Sequence, residues 1–155
     1  MAEQGAENQG QSIRYGIRGI SLEDFTLDEE NPAGDNKMTF TIRIRLSFNP
    51  EEQQLIMIPE GKFMDKENQS DLVRAAVKTI FEVQGLADYV SEKDGEKQLN
   101  LPDEFMFSMA NMALDHTRAI LSYKLQDTKF ENLLMPVIDP ADILKRQSEG
   151  NGEEQ

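Results

Sequence analysis

The sequence predicts an α+β domain in which antiparallel strands come first and one long helix follows. Three observations carry this. Residues 38–48, MTFTIRIRLSF, alternate strictly between apolar and polar. From residue 100 the apolar period changes to three or four. Beyond that helical pattern, TKFENLLMPVIDPADIL is apolar but holds two prolines, so it runs extended before a last short turn.

The elements can be justified in order. SIRYGIRGISLEDFTL alternates with Ile13, Tyr15 and Ile17 on one side. The phase changes near Gly19, where a bulge re-aims Ile20, Leu22 and then Phe25. DEENPAGDN reads as a loop and lacks the oxygen-ligand spacing of a calcium site. In the next strand Met38, Phe40, Ile42, Ile44, Leu46 and Phe48 face one way, and Thr39, Thr41, Arg43, Arg45 and Ser47 the other. One buried and one polar face is the signature of an antiparallel sheet. The polar NPEE suits a tight turn, and QQLIMIPEGKFM returns as a strand in which Pro59 implies an edge, a bulge or a break.

DLVRAAVKTIFEVQGL carries two patterns. Val73, Ala75, Val77, Thr79, Phe81 and Val83 alternate as in a strand, while Val73, Ala76, Val77 and Ile80 also share a helical face. The β-branched and aromatic end favours a strand, and both readings stay open. SEKDGEKQ reads as a polar loop turning at Asp94-Gly95. The helix is expected over about 101–125, roughly 38 Å long, with Asn100 as cap and Pro102 in its first turn. Its stripe of Phe105, Met109, Met112, His116, Ile120 and Tyr123 is widened by Met106, Ala110, Ala113 and Leu121. That is more apolar surface than one sheet covers, so Phe105, Met109, Met112, Ile120 and Tyr123 are expected to face another copy of the chain.

Composition narrows the function. The 155 residues fit one domain, taken as 12–145, between polar segments 1–11 and 146–155 that read as disordered tails. With 16 Lys and Arg against 29 Asp and Glu, the net charge of −13 disfavours nucleic acid and anionic membranes. No apolar run approaches a membrane span, and the N-terminus lacks a signal-peptide layout, so a cytoplasmic location is expected. The absence of cysteine excludes thiol catalysis and thiolate metal sites.

The single histidine lies in Asp115-His116-Thr117-Arg118. Adjacent helix residues project about 100° apart, so these side chains do not converge as a catalytic triad would. A surface pair of Asp115 with Arg118 and a partly buried His116 explain the cluster. Nucleotide-binding glycine motifs and a GxSxG nucleophile motif are absent as well, so no enzyme, cofactor or metal site is expected.

The stretch 114–144 has another pattern. Arg118 lies on a helix ending in an apolar run, followed by a break with Phe130, then Leu133, then Met135-Pro136-Val137, then a short turn from Ala141 to Leu144. This resembles the SecB family of bacterial export chaperones, over about 30 residues, with the upstream order of strands then helix in agreement. The family usually has proline just before the arginine, where this chain has Asp115, and often after the phenylalanine, where it has Glu131; a straighter, longer helix follows. The resemblance implies a four-stranded antiparallel sheet with helices on one side, assembled as a homodimer or homotetramer. It also implies a holdase that binds unfolded or precursor polypeptides in apolar grooves, with handover to a SecA-type motor. A holdase built on such a sheet is also expected to pair client backbone at the sheet edges. Phe81, Phe130, Leu133, Leu134 and Val137 are the expected peptide-binding residues. The methionines Met106, Met109 and Met112, on successive turns, would suit varied clients because thioether chains are flexible and polarizable. The competing reading is a structural subunit whose apolar helix face serves only homo-oligomerisation.

Overall fold

The computed structural model describes residues 13–31 and 37–153, with side chains to 147. Its order is β1 (Tyr15–Leu27), β2 (Met38–Asn49), β3 (Gln54–Asp65), β4 (Asp71–Val83), a 3-10 turn (Leu86–Tyr89), β5 (Val90–Lys93), β6 (Glu96–Leu99), α1 (Asp103–Lys124) and α2 (Pro140–Glu153). The four long strands form an antiparallel sheet in the order β1-β4-β3-β2. The expected antiparallel sheet followed by a long helix is therefore present.

Each strand follows from its pattern. Phe40 lies opposite Phe63, Ile44 opposite Pro59, and Leu46 opposite Met57, so the apolar row of β2 joins the core face. The other face turns to solvent under cross-strand ion pairs. Glu60 bonds Arg43 at 3.1 Å and lies 3.8 Å from Arg45; Asp24 pairs with Arg74 at 3.0 Å and Glu23 with Lys78 at 2.9 Å. In β1 the register shifts between Ile17 and Gly19, where the phase change was expected, and again between Leu22 and Asp24.

Residues 71–83 form a strand, which resolves the two-pattern segment. Pro59 lies in a central strand, not at an edge. The β3–β4 ladder has no partners at Ile58 and Pro59, then resumes at Glu60 opposite Ala76 in the same register. The chain absorbs the missing donor as a gap of two pairs, as a strand break would. SEKDGEKQ is a hairpin, not a loop: β5 pairs with β6 around Asp94 and Gly95, whose positive φ values of 54° and 82° give the mirror-image turn that fits twisted strands.

The helix α1 is unbroken over 22 residues, as a chain lacking the proline should be. Asn100 does not cap it. Its amide side chain bonds Ser91 in the hairpin, and Pro102 stands at the helix entry, its carbonyl accepting from Phe105 and Met106. Met109, Ala110, Ala113, Leu114, Thr117 and Leu121 are buried against the sheet with Leu55, Met57, Phe81 and Val83. Burying each of the leucine, methionine, phenylalanine and valine side chains among these contributes about 1.5–3 kcal/mol before entropy is counted.

The expected last short turn is a helix of 14 residues. Pro140 takes the first position, and the Asp139 carboxylate accepts from the Ala141 N–H at 2.9 Å. Residues 146–153, read as tail from composition, belong to that helix, and Gln147 bonds β2 through the backbone of Ile44. The expected tail over residues 1–11 lies outside the described residues, as do 154 and 155.

Candidate functional site

The sheet order gives α1 two different flanks. Toward β1, the row of Phe105, Met112, His116 and Ile120 is half-buried, and Tyr123 is exposed. Phe105 meets Tyr15 of β1 edge-on, with ring centroids 6.4 Å apart. Beside this row β1 leaves Ile17, Ile20 and Leu22 exposed, although all three point to the core face opposite Phe81, Thr79 and Val77. An apolar strip thus runs along the outer strand of the sheet and the near side of the helix. Met109, expected in this strip, is instead fully enclosed by its own chain, because its position on the helix faces the sheet.

His116 sits at the centre of that flank. Its Nδ1 is 2.9 Å from the hydroxyl of Thr79, which is fully buried. The chain's one imidazole therefore meets a hydroxyl that no substrate reaches, and the pair ties α1 to β4. Asp115 and Arg118 form the ion pair expected of residues three apart, at 2.6 Å.

The opposite flank holds the extended segment. Arg118 donates from Nε to the carbonyl of Met135 and from Nη2 to the carbonyl of Pro136, each at 3.3 Å. Met135 is buried, its sulfur near Gly61 of β3, where an added Cβ would lie 3.3 Å from the Phe40 ring and 4.0 Å from that sulfur. The chain around it alternates: Leu134 is 69% exposed and Val137 89% exposed, while Leu133 and Ile138 are half-buried. Between Val137–Pro140 and the Phe107, Ser108 and Asn111 side of α1 lies an open groove of about 430 Å³.

The five residues expected to bind peptide divide accordingly. Leu134 and Val137 reach solvent and Leu133 lies half-buried beside them. Phe81 is fully buried beneath α1, and Phe130 is buried at the base of the turn that follows α1. Those two shape the platform without being reachable. Sequence reading missed Phe107 and Asn111, which lie off the apolar stripe. It also missed Gln147, in a stretch of tail-like composition. Among the described residues, no cluster of three carboxylates or imidazoles could hold a metal ion, and no helix is long and apolar enough to cross a membrane.

A four-stranded antiparallel sheet covered on one face by a long helix, an extended crossing segment and a second helix is a SecB-like fold. A SecB-like chaperone from Mycobacterium tuberculosis, solved in complex with a ChAD peptide from the HigA1 antitoxin, superposes with a TM-score of 0.53. The match spans 88% of this chain and 96% of that one at 11% identity, so it speaks to the fold alone. A Streptococcus agalactiae protein of unknown function, 10% identical, aligns over 81% of this chain and 99% of its own with a TM-score of 0.36. No protein-family profile and no curated protein sequence matches the chain.

Proposed function

We propose that this chain is a non-catalytic holdase that binds extended, non-native polypeptide segments along the α1 flank marked by Leu134 and Val137. The observation that carries the reading is the pinning of that segment. Two carbonyl bonds from Arg118 and the burial of Met135 hold the backbone, while apolar neighbours are kept in water. Leaving Val137 89% exposed on an anchored segment forgoes the stabilisation its burial would bring, about 1.5–3 kcal/mol for such a side chain. A partner's apolar side chains recover it. That the similar Mycobacterium tuberculosis protein binds a peptide supports the same use of the fold here.

Homo-oligomerisation is the second part of the proposal. Ile17, Ile20 and Leu22 on β1, with Phe105, Met112, Ile120 and Tyr123 on α1, make a surface suited to a second copy. If that contact were the chain's sole role, the Leu134 flank would bind nothing.

The test is sizing chromatography with light scattering, with and without a reduced, alkylated and therefore permanently unfolded polypeptide at low micromolar concentration. The expected result is a complex of defined mass. An oligomer that never retains the polypeptide overturns the holdase reading in favour of a structural subunit.

A further inference from the structure

The outer edge of β2 is already occupied at one residue. Alternate residues of an edge strand direct both N–H and C=O away from the sheet. Ile44 belongs to that outward row: its N–H donates to Gln147 Oε1 at 2.7 Å, and its C=O accepts from Gln147 Nε2 at 2.9 Å. A carboxamide presents an N–H donor group beside a carbonyl acceptor, the pair of functions that a residue of a neighbouring antiparallel strand exchanges. Gln147 therefore stands where one residue of a fifth strand would stand. The groups presented also define what else fits, since a phosphate or an ionised carboxylate accepts without donating, whereas a peptide backbone does both.

The hold is local. Pro140 and Ile143 of α2 are buried, Leu144 and Gln147 are half-buried, and Lys145 and Arg146 are exposed. The first turn of α2 is thus anchored in the core, and its next turn is held more lightly, by the half-buried Leu144 packed against the core and by Gln147 on the sheet edge. Ile42 and Leu46, two residues to either side of Ile44, share its outward row, and their side chains lie on the core face of the sheet.

We propose that the β2 edge at Ile44 is a pairing site for the backbone of an extended polypeptide, and that Gln147 is its built-in competitor. The second turn of α2 lifts, the carboxamide leaves, and a client strand takes over the two bonds and extends them to Ile42 and Leu46. This rests on the holdase reading and adds to it a specific edge and a means of closing it.

The test uses the full chain with Gln147→Leu and Gln147→Glu. Leucine removes both bonds; glutamate keeps an acceptor for the Ile44 N–H but offers the Ile44 carbonyl no donor. Circular dichroism should report folded protein for both. By amide exchange, the Ile44 N–H should exchange at least tenfold faster in the leucine variant. Affinity for the reduced, alkylated polypeptide should rise about three- to tenfold in both, the scale set by two modest amide bonds. Saturating polypeptide should then restore protection at Ile44. Bound polypeptide that leaves Ile44 unprotected overturns the pairing site. Variants that bind no better than the original chain overturn the competitor role while leaving the holdase reading intact. If neither the original chain nor the variants retain polypeptide, the holdase reading fails and this inference with it.

Discussion

Arg118 and Met135 are joined side chain to backbone: the guanidinium Nε donates to the Met135 carbonyl at 3.3 Å, and the same fork reaches the Pro136 carbonyl. A planar guanidinium spreads its donors over three nitrogens, so Nε and Nη2 meet two successive carbonyls while Nη1 pairs with Asp115, a spread that the single nitrogen of an ammonium does not have. The residue that looks, in sequence, like half of a surface ion pair is the fastening of the extended segment.

Arg118→Lys should therefore destabilise the chain by about 1–2 kcal/mol in urea denaturation, since charged-donor bonds to a half-buried backbone are lost. Asp115→Ala should cost at most a few tenths, because that carboxylate is largely in water. Equal effects from the two changes would mean that the ion pair, not the carbonyl clamp, holds the segment.

Leu134→Ser combined with Val137→Ser should leave the melting temperature within a degree or two, as both side chains are exposed. Polypeptide binding should weaken about tenfold, read by fluorescence anisotropy of a labelled unfolded chain. Phe130→Ala should instead cost about 3–5 kcal/mol, the usual loss for a buried phenylalanine. Unchanged affinity in the double serine variant would remove this flank from the binding surface.

Charged residues on the β1 side of the molecule should divide an oligomer without unfolding its protomers. Ile20→Asp with Tyr123→Asp is expected to give a folded monomer by light scattering. Met109→Asp should unfold the protomer itself, because a carboxylate at a fully buried site has no partner there. An assembly that survives the first pair of changes places the contact elsewhere.

Thr79 and His116 should behave as a coupled pair. Thr79→Val and His116→Phe are each expected to cost about 1 kcal/mol, and the double variant less than the sum by a similar amount. A coupling energy near zero would reduce the 2.9 Å contact to coincidence.

The legible parts of this fold were those where local chemistry and tertiary environment agree. In β2 one face is core and the other is solvent, so alternation reads out directly. The strand β4 was ambiguous because it is central. Ala76 lies on the outer face, yet it is fully buried between Glu60 and Asp24 across the two ladders, so apolar residues occur at both parities. On α1 a broad stripe could not say which members face the protomer's own sheet. Met109 does, while Met112, three residues on, lies at the flank. Gln147 was illegible for a different reason: its partner lies 103 residues away, and no local pattern marks a glutamine that will meet a strand edge.

The strand order carries a kinetic consequence. The β2-β3-β4 meander closes through short turns, but β1 pairs with β4 between residues 46 to 68 positions apart, Leu27 with Val73 at one end and Tyr15 with Val83 at the other. Synthesised first, β1 has no sheet to join until the rest of that meander has emerged, and the entropy of closing so long a loop slows its docking. The chain's own apolar strand is thus left waiting in an extended state, the same condition proposed for its clients. Pulse-labelled hydrogen exchange during refolding should find the amides of Ile17 to Leu22 protected after those of β3, and simultaneous protection would refute a late-docking first strand.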